Sequence, residues 1–132
     1  MIMDKEKIGN LHDADLVSVG KDLLLNRLSL SFRLENNEIR KINLLECEIF
    51  RMTDFVSQNI VYSLSYYHGM NIDVDEIKKH LDWASSLSDS TSYLDESRME
   101  LVIEKIRTGQ SILLVLEPSW GARVVAVFKT VE

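Results

Sequence analysis

The period of the hydrophobic pattern changes twice along this chain, and these changes restrict the folds that are open to it. Apolar and polar residues alternate from Leu28 to Leu34, with the period of two that is typical of a half-buried strand. Between Val74 and Thr108 the apolar residues recur at three- and four-residue intervals, which indicates amphipathic helices. From Ile112 the pattern is valine-rich and almost continuously apolar. Strands, then helices, then strands predict an α+β fold.

The predicted sheet contains about five to six mainly antiparallel strands. A polar stretch at 35–38 precedes a return strand that begins at Ile39, and this order predicts a hairpin. The phase of the return strand slips at Leu44-Leu45, so we expect a bulge or a bend there. Residues 53–68 fit both periods, but their β-branched and aromatic content favours a strand at 59–67. The remaining strands are expected at about 11–19, 112–117 and 122–131.

Two helices are predicted, and both should pack on one face of the sheet. The first should run from about 74 to 86 with Asp73 as its N-cap, and the second from about 93 to 108. Gly109 then lies just beyond the second helix, at the position that favours glycine. A chain of 132 residues, 45% of them apolar, can bury one continuous core. We therefore predict a single domain over residues 1–132.

The net charge and the single cysteine bear on partners and location. A formal net charge of −6 disfavours direct binding to nucleic acid and favours a basic protein partner. The longest apolar runs, such as 112–116, are too short to span a bilayer, and residues 1–10 lack the apolar segment of a signal peptide. Cys47 should be a small buried hydrophobe, because its two neighbouring glutamates disfavour the thiolate. We expect a cytoplasmic protein without membrane association, as a monomer or a weak dimer.

No catalytic, metal or nucleotide motif is recognisable. The five glycines are spread singly, and no serine lies in a G-x-S-x-G pattern, so we expect no catalytic residue, cofactor or metal. One alternative is a small enzyme or ligand-binding domain that uses His12, Asp13 and Asp15, together with His68. It requires these side chains to converge in one pocket. Another alternative is a structural or oligomerisation module that exposes an apolar sheet face or edge.

Negative charge is concentrated in the helical part of the chain. Residues 73–108 contain nine acidic and five basic side chains, and no lysine or arginine lies between positions 80 and 97. Aromatic side chains beside acids are suitable anchors for a basic partner. The alternative is a solvated helix–loop–helix, with Trp83 covering the core edge and Trp120 folded over an end of the sheet. The predicted partner-binding residues are Asp82, Trp83, Asp89, Tyr93, Asp95, Glu96, Glu100 and Trp120.

Three segments underlie a resemblance to a class of bacterial proteins. They are the opening at 11–16 (LHDADL), the acidic segment at 82–104 and the Pro-Ser-Trp-Gly-Ala stretch at 118–122. With its size, acidity and α+β order, the chain resembles the small acidic cytoplasmic immunity proteins of toxin–immunity systems, including contact-dependent inhibition. The resemblance implies a non-enzymatic inhibitor that covers the cleft of a basic toxin, such as a nuclease. It transfers no individual site residue.

Overall fold

The computed structural model describes residues 5–7, 11–87 and 91–132. These residues form strands and helices in the predicted α+β order. The elements are β1 (Lys5–Lys7), β2 (Asp15–Asp22), β3 (Arg27–Arg33), β4 (Ile39–Leu45), β5 (Ile49–Thr53), β6 (Ile60–Tyr67), α1 (Val74–Ala84), α2 (Glu96–Arg107), β7 (Ile112–Trp120), β8 (Arg123–Phe128) and β9 (Thr130–Val131). Neither helix is long and apolar enough to cross a membrane.

The strands of the described residues form one antiparallel sheet. Its order is β5-β8-β7-β6-β2-β3-β4-β9, and β1 pairs with β6 beside this path. The path therefore has eight strands, so the predicted five to six is wrong. The expected return strand is divided into β4 and β5, and the expected last strand is divided into β8 and β9. The short β1 has no periodic signal that could have predicted it.

The break between β4 and β5 confirms the bend predicted near Leu44-Leu45. β4 ends at Leu45, and Glu46 lies in the left-handed region with φ 51. Beyond this bend, β5 pairs with β8 just as β4 pairs with β9. Only Lys129 separates β8 from β9. The segment that contains β4 and β5 therefore pairs with the segment that contains β8 and β9 as one two-stranded ribbon. This ribbon joins the two ends of the strand order, so the sheet curves back on itself.

The curved sheet has an apolar layer on each of its faces. Strand β7 contributes to both, since Leu114 and Leu116 point to the inner core while Leu113 and Val115 pack against the helices. All four side chains are buried, as the continuous apolar run predicted. The helices cover the outer face with Ile77, Leu81, Ala84, Met99, Val102, Ile103 and Ile106.

Asp73 caps α1 as predicted, and the N-cap of each helix determines where the helix begins. Asp73 accepts hydrogen bonds from two main-chain N–H groups of the first turn of α1, which ends at Ala84 instead of about 86. α2 begins at Glu96 instead of about 93, because Asp95 is its N-cap and accepts from the Arg98 N–H at 2.8 Å. Gly109 follows the second helix with φ 81, as expected.

The first residue of β2 and the last residue of β7 differ from the predicted strand bounds. β2 begins at Asp15, since the Ala14 N–H donates to the Leu11 carbonyl at 3.0 Å and closes a turn. β7 extends to Trp120, so the expected turn at 118–121 is reduced to the residues around Gly121. The strand expected at 59–67 is confirmed as β6.

Candidate functional site

The two helices border an open groove whose rim is mainly acidic. This helical groove has a volume of about 450 Å³. Its lining contains five carboxylates, one lysine and four apolar side chains, and the formal charge of the ionisable groups is therefore −4. The lining residues are Val74, Asp75, Lys78, Asp82, Leu94, Asp95, Glu96, Met99, Glu100 and Ile103.

Helical spacing places the charged residues of each helix on one face. Asp75, Lys78 and Asp82 are three and four residues apart, and so they form one stripe of α1. Glu96 and Glu100 are four residues apart and form the facing stripe of α2. Asp75 and Lys78 were not among the predicted site residues. The spacing of seven residues between Asp75 and Asp82 was the sequence signal that could have identified Asp75.

Lys78 is the base that lines the groove, and four of the acidic side chains there form no close ion pair within the described residues. Across residues 11–87 and 91–132, no lysine or arginine lies within ion-pair distance of Asp82, Asp95, Glu96 or Glu100. The ion pairs that do form between described residues lie outside the groove. One of them joins Arg107 and Glu104 on α2, with an N–O distance of 3.5 Å. The groove therefore presents a negative field that attracts cationic groups.

Asp95 has a structural role in addition to its place in the groove. The hydrogen bonds from the Arg98 N–H and the Ser97 hydroxyl lower the pKa of the Asp95 carboxyl. The carboxylate is thus the favoured form in the folded protein. The stability from this cap is present above the ordinary pKa of the group and is lost as the pH falls through the lowered value.

Asp82 is unfavourably placed for the stability of its own helix. It lies in the last turn of α1, which contains no basic residue, and the helix dipole makes this end negative. The helix dipole alone should let Asp82→Lys raise the free energy of unfolding by about 0.5–1 kcal/mol. Repulsion between the new lysine and Lys78, four residues away, subtracts about 0.2–0.5 kcal/mol, and urea denaturation measures the net gain. Asp82→Asn should raise the free energy of unfolding by about half as much as the dipole effect of the lysine. A lower stability in both variants would contradict this account of the charge.

Trp83 lies outside the helical groove, between two arginines. The guanidinium carbons of Arg51 and Arg123 are 4.3 and 4.5 Å from the centre of the indole ring. Arg51 also donates a hydrogen bond of 2.8 Å to the Trp83 carbonyl. The half-buried ring packs against the outer core, as in the alternative interpretation. Two arginines of the protein itself therefore already contact the Trp83 ring. This is the ring that was expected, together with nearby acidic side chains, to contact a basic partner.

Tyr93 lines a second cavity, of about 200 Å³, together with Cys47 and Glu48. Tyr93 is 60% exposed. Partial burial is the largest cause that raises the pKa of its hydroxyl, and the negative charge of Glu48 is the second. Burial is also the main cause that raises the pKa of Cys47 to about 11, while Glu48 contributes less than the sequence suggested. Cys47 is thus a half-buried thiol that donates to the Ile49 carbonyl at 3.4 Å.

Trp120 and Asp89 complete the set of predicted contact residues. Trp120 is 67% exposed at the end of β7, where it pairs with Ile60 of β6, so it does not fold back over the sheet. It is not among the residues that line the helical groove. Asp89 lies outside the described residues. Four of the eight predicted residues therefore come together in the groove, namely Asp82, Asp95, Glu96 and Glu100.

The alternative site of histidines and aspartates does not form a common pocket. Asp15 is buried and accepts from the Arg33 guanidinium at 3.2 Å and from a main-chain N–H at 2.8 Å. His12 is exposed, with Nδ1 at 2.6 Å from the Tyr62 carbonyl, and its exposed neighbour Asp13 lies 3.7 Å from Nε2. His68 follows the opposite end of β6. It lies eight residues beyond Ile60, the strand partner of Asp15, which corresponds to about 25 Å along the strand. The convergence that this alternative requires is therefore not found for these four residues.

Neither a metal centre nor a relative provides a further guide to the site. Among the residues at 11–87 and 91–132, no group of three or more histidine, cysteine, aspartate or glutamate side chains is arranged to hold a metal ion. The comparisons with protein-family models, with curated proteins and with solved structures found no match for this chain.

Proposed function

We propose that this chain is a non-enzymatic binding protein, an immunity protein that neutralises a basic toxin domain such as a nuclease. One observation carries the proposal. Asp82, Asp95, Glu96 and Glu100 line a single groove, and none of them is paired with a base in the described part of the chain. Unpaired acids that share a concave surface favour contact with a positively charged partner.

The proposed mechanism is electrostatic. The negative field of the groove attracts the basic cleft of the toxin domain and orients it before contact. In the complex, the carboxylates occupy positions that phosphate groups of a nucleic acid would otherwise take. The toxin then remains folded but has no access to its substrate. In this proposal the protein acts in the cytoplasm as a monomer or a weak dimer, and Trp120 is not part of the contact surface.

If the gene immediately upstream encodes a secreted protein with a basic C-terminal domain, that domain is the partner with which neutralisation should be tested. Cells that express this domain should survive when the present chain is co-expressed, and the two proteins should form a stable complex by size exclusion. Glu96→Lys/Glu100→Lys should abolish protection. The control is Glu104→Lys, because Glu104 lies on the same helix but outside the groove. Unchanged toxicity with the wild-type chain would rule out this partner.

A role in self-association has one observation in its favour. Leu23, Leu24 and Leu25 at the tip of the β2–β3 hairpin are 79%, 97% and 60% exposed. The Asp22 carboxylate accepts from the Leu24 and Leu25 N–H groups, which holds the tip in a defined shape. Such an apolar tip can drive association. A molar mass that rises with concentration in light scattering, and is restored to the monomer value by Leu24→Ser, would favour this function over inhibition.

A further inference from the structure

We infer that the helical groove receives a cationic amphipathic α-helix of the partner, which lies along α1 and α2 as a third helix. This inference rests on the proposed function, because it concerns the same groove. It goes further by specifying the secondary structure of the partner element and the spacing of its charges.

The acids on α1 have the spacing of a partner helix. Asp75 and Asp82 are seven residues apart, which corresponds to about 10.5 Å along the axis of α1. Two residues seven apart on an aligned helix have the same separation, because both helices rise by about 1.5 Å per residue. In an extended strand, side chains on one face are about 6.7 or 13 Å apart, and neither distance matches. The spacing therefore favours a helical partner.

The facing rim and the floor of the groove favour an amphipathic helix. Glu96 and Glu100 on α2 supply carboxylates one helical turn apart on the opposite rim. Between the rims lie apolar side chains, including the largely buried Met99 and Ile103 and the half-buried Leu94. A helix with cations on its flanks and an apolar stripe between them would match both features at once. Charge complementarity alone would not require the apolar stripe.

Lys78 determines the register that the partner should adopt. It lies between Asp75 and Asp82 on the same face of α1, three residues from one and four from the other. A cation that faced Lys78 would be repelled, whereas a carboxylate there would be attracted. The expected partner pattern is therefore a base, an acid and a base, with the outer two residues seven apart. This alternation distinguishes the preferred partner from a uniformly basic peptide.

Two synthetic peptides of identical composition test the inference with the full chain. The first has arginines at positions i and i+7, a glutamate at i+4 and leucines on the intervening face. The second has the same residues rearranged to alternate with a period of two. We expect the first peptide to bind at least about tenfold more tightly in fluorescence anisotropy and to gain helicity in circular dichroism. Equal binding of the two peptides, or binding of neither, would overturn the inference.

Variants of the chain locate the peptide and test its register. Glu96→Lys/Glu100→Lys should lower the affinity for the first peptide by about tenfold or more. Glu104→Lys should leave that affinity within about twofold of the wild-type value. Lys78→Glu should lower the affinity for the first peptide too, and a peptide with lysine in place of the glutamate should restore binding to Lys78→Glu. Urea unfolding of each variant shows whether it is folded. A peptide equally bound by all variants would lie outside the groove.

The outcomes separate the inference from the proposed function. If the chain protects cells from the toxin but neither peptide binds, the groove does not receive a helix, and the proposed function stands. If the helical peptide binds but the toxin is not neutralised, the helix site stands and the proposed function fails. Association that grows with protein concentration and is lost in Glu96→Lys/Glu100→Lys would identify the occupant as a second copy. In that copy, Arg98 and Lys105 of α2 are also seven residues apart. This result would overturn the assignment to a partner protein.

Discussion

Replacing Asn59 with alanine should lower the free energy of unfolding by about 3–5 kcal/mol, because one buried amide connects three separate segments of the chain. The Asn59 Oδ1 atom accepts from the Val56 N–H at 2.9 Å and from the Ala122 N–H at 3.0 Å. Its Nδ2 group donates to the Leu16 carbonyl at 3.2 Å and to the Val56 carbonyl at 2.8 Å. With Asn59 only 3% exposed, the groups left behind gain little access to water.

The size of this effect follows from the buried groups that lose a partner. Each buried main-chain group left without a hydrogen bond costs about 1–3 kcal/mol, and at least the Ala122 N–H and the Leu16 carbonyl belong to buried residues. Urea unfolding measures the change. The neighbouring exposed variant Gln58→Ala is the control, and it should stay within about 0.5 kcal/mol of wild type. A loss below about 1 kcal/mol for Asn59→Ala would contradict the role assigned to the amide.

A substitution at Gly121 should disturb the hydrogen bonds of the Asn59 side chain as well. Gly121 has φ 87, and a Cβ atom there would lie 2.5 Å from the Asn59 Oδ1 atom and 2.8 Å from the Gln58 carbonyl oxygen. Gly121→Ala should therefore destabilise the protein for two reasons, the backbone conformation and the close approach. Because both variants disturb one hydrogen-bond network, their effects should not be additive.

Reversing Glu96 and Glu100 to lysine should lower the rate of association with a cationic partner by about 10–100-fold. Each substitution changes the charge by +2, so the net charge of the double variant is −2 instead of −6. The association rate of the wild type should fall steeply as salt is added, and that of the variant should be nearly independent of salt. Stopped-flow mixing with the toxin domain over a range of ionic strength measures both quantities.

A control of equal charge separates the field of the groove from the net charge of the protein. Glu35→Lys/Glu38→Lys also changes the net charge from −6 to −2, but both residues are exposed in the turn between β3 and β4. We expect a much smaller fall in the association rate for this control. If both double variants are slowed equally, net charge alone explains the association, and the groove is not the contact surface.

Local chemistry within a few residues was sufficient to predict much of the secondary structure. The alternation from Leu28 to Leu34 became β3, because successive side chains of a strand point to opposite faces. Asp73 and Gly109 marked the start of one helix and the end of the other, since each satisfies a geometric requirement of a helix terminus. The phase slip near Leu45 likewise marked the bend between β4 and β5.

Contacts between distant segments could not be predicted in this way. The bond from the Asn59 N–H to Asp15 joins residues 44 positions apart, and it helps to bring β2 beside β6. The arginines around Trp83 come from positions 51 and 123, so no pattern near residue 83 indicates that its ring is already covered.

The candidate site combines both kinds of information. Helical periodicity placed Asp82 on one face of α1, and Glu96 and Glu100 on one face of α2. Only the packing of both helices on the same face of the sheet brought these two acidic stripes to one groove. The physical reason is that periodicity specifies the direction of a side chain relative to its own helix, whereas the neighbour it meets depends on apolar burial summed over the whole chain.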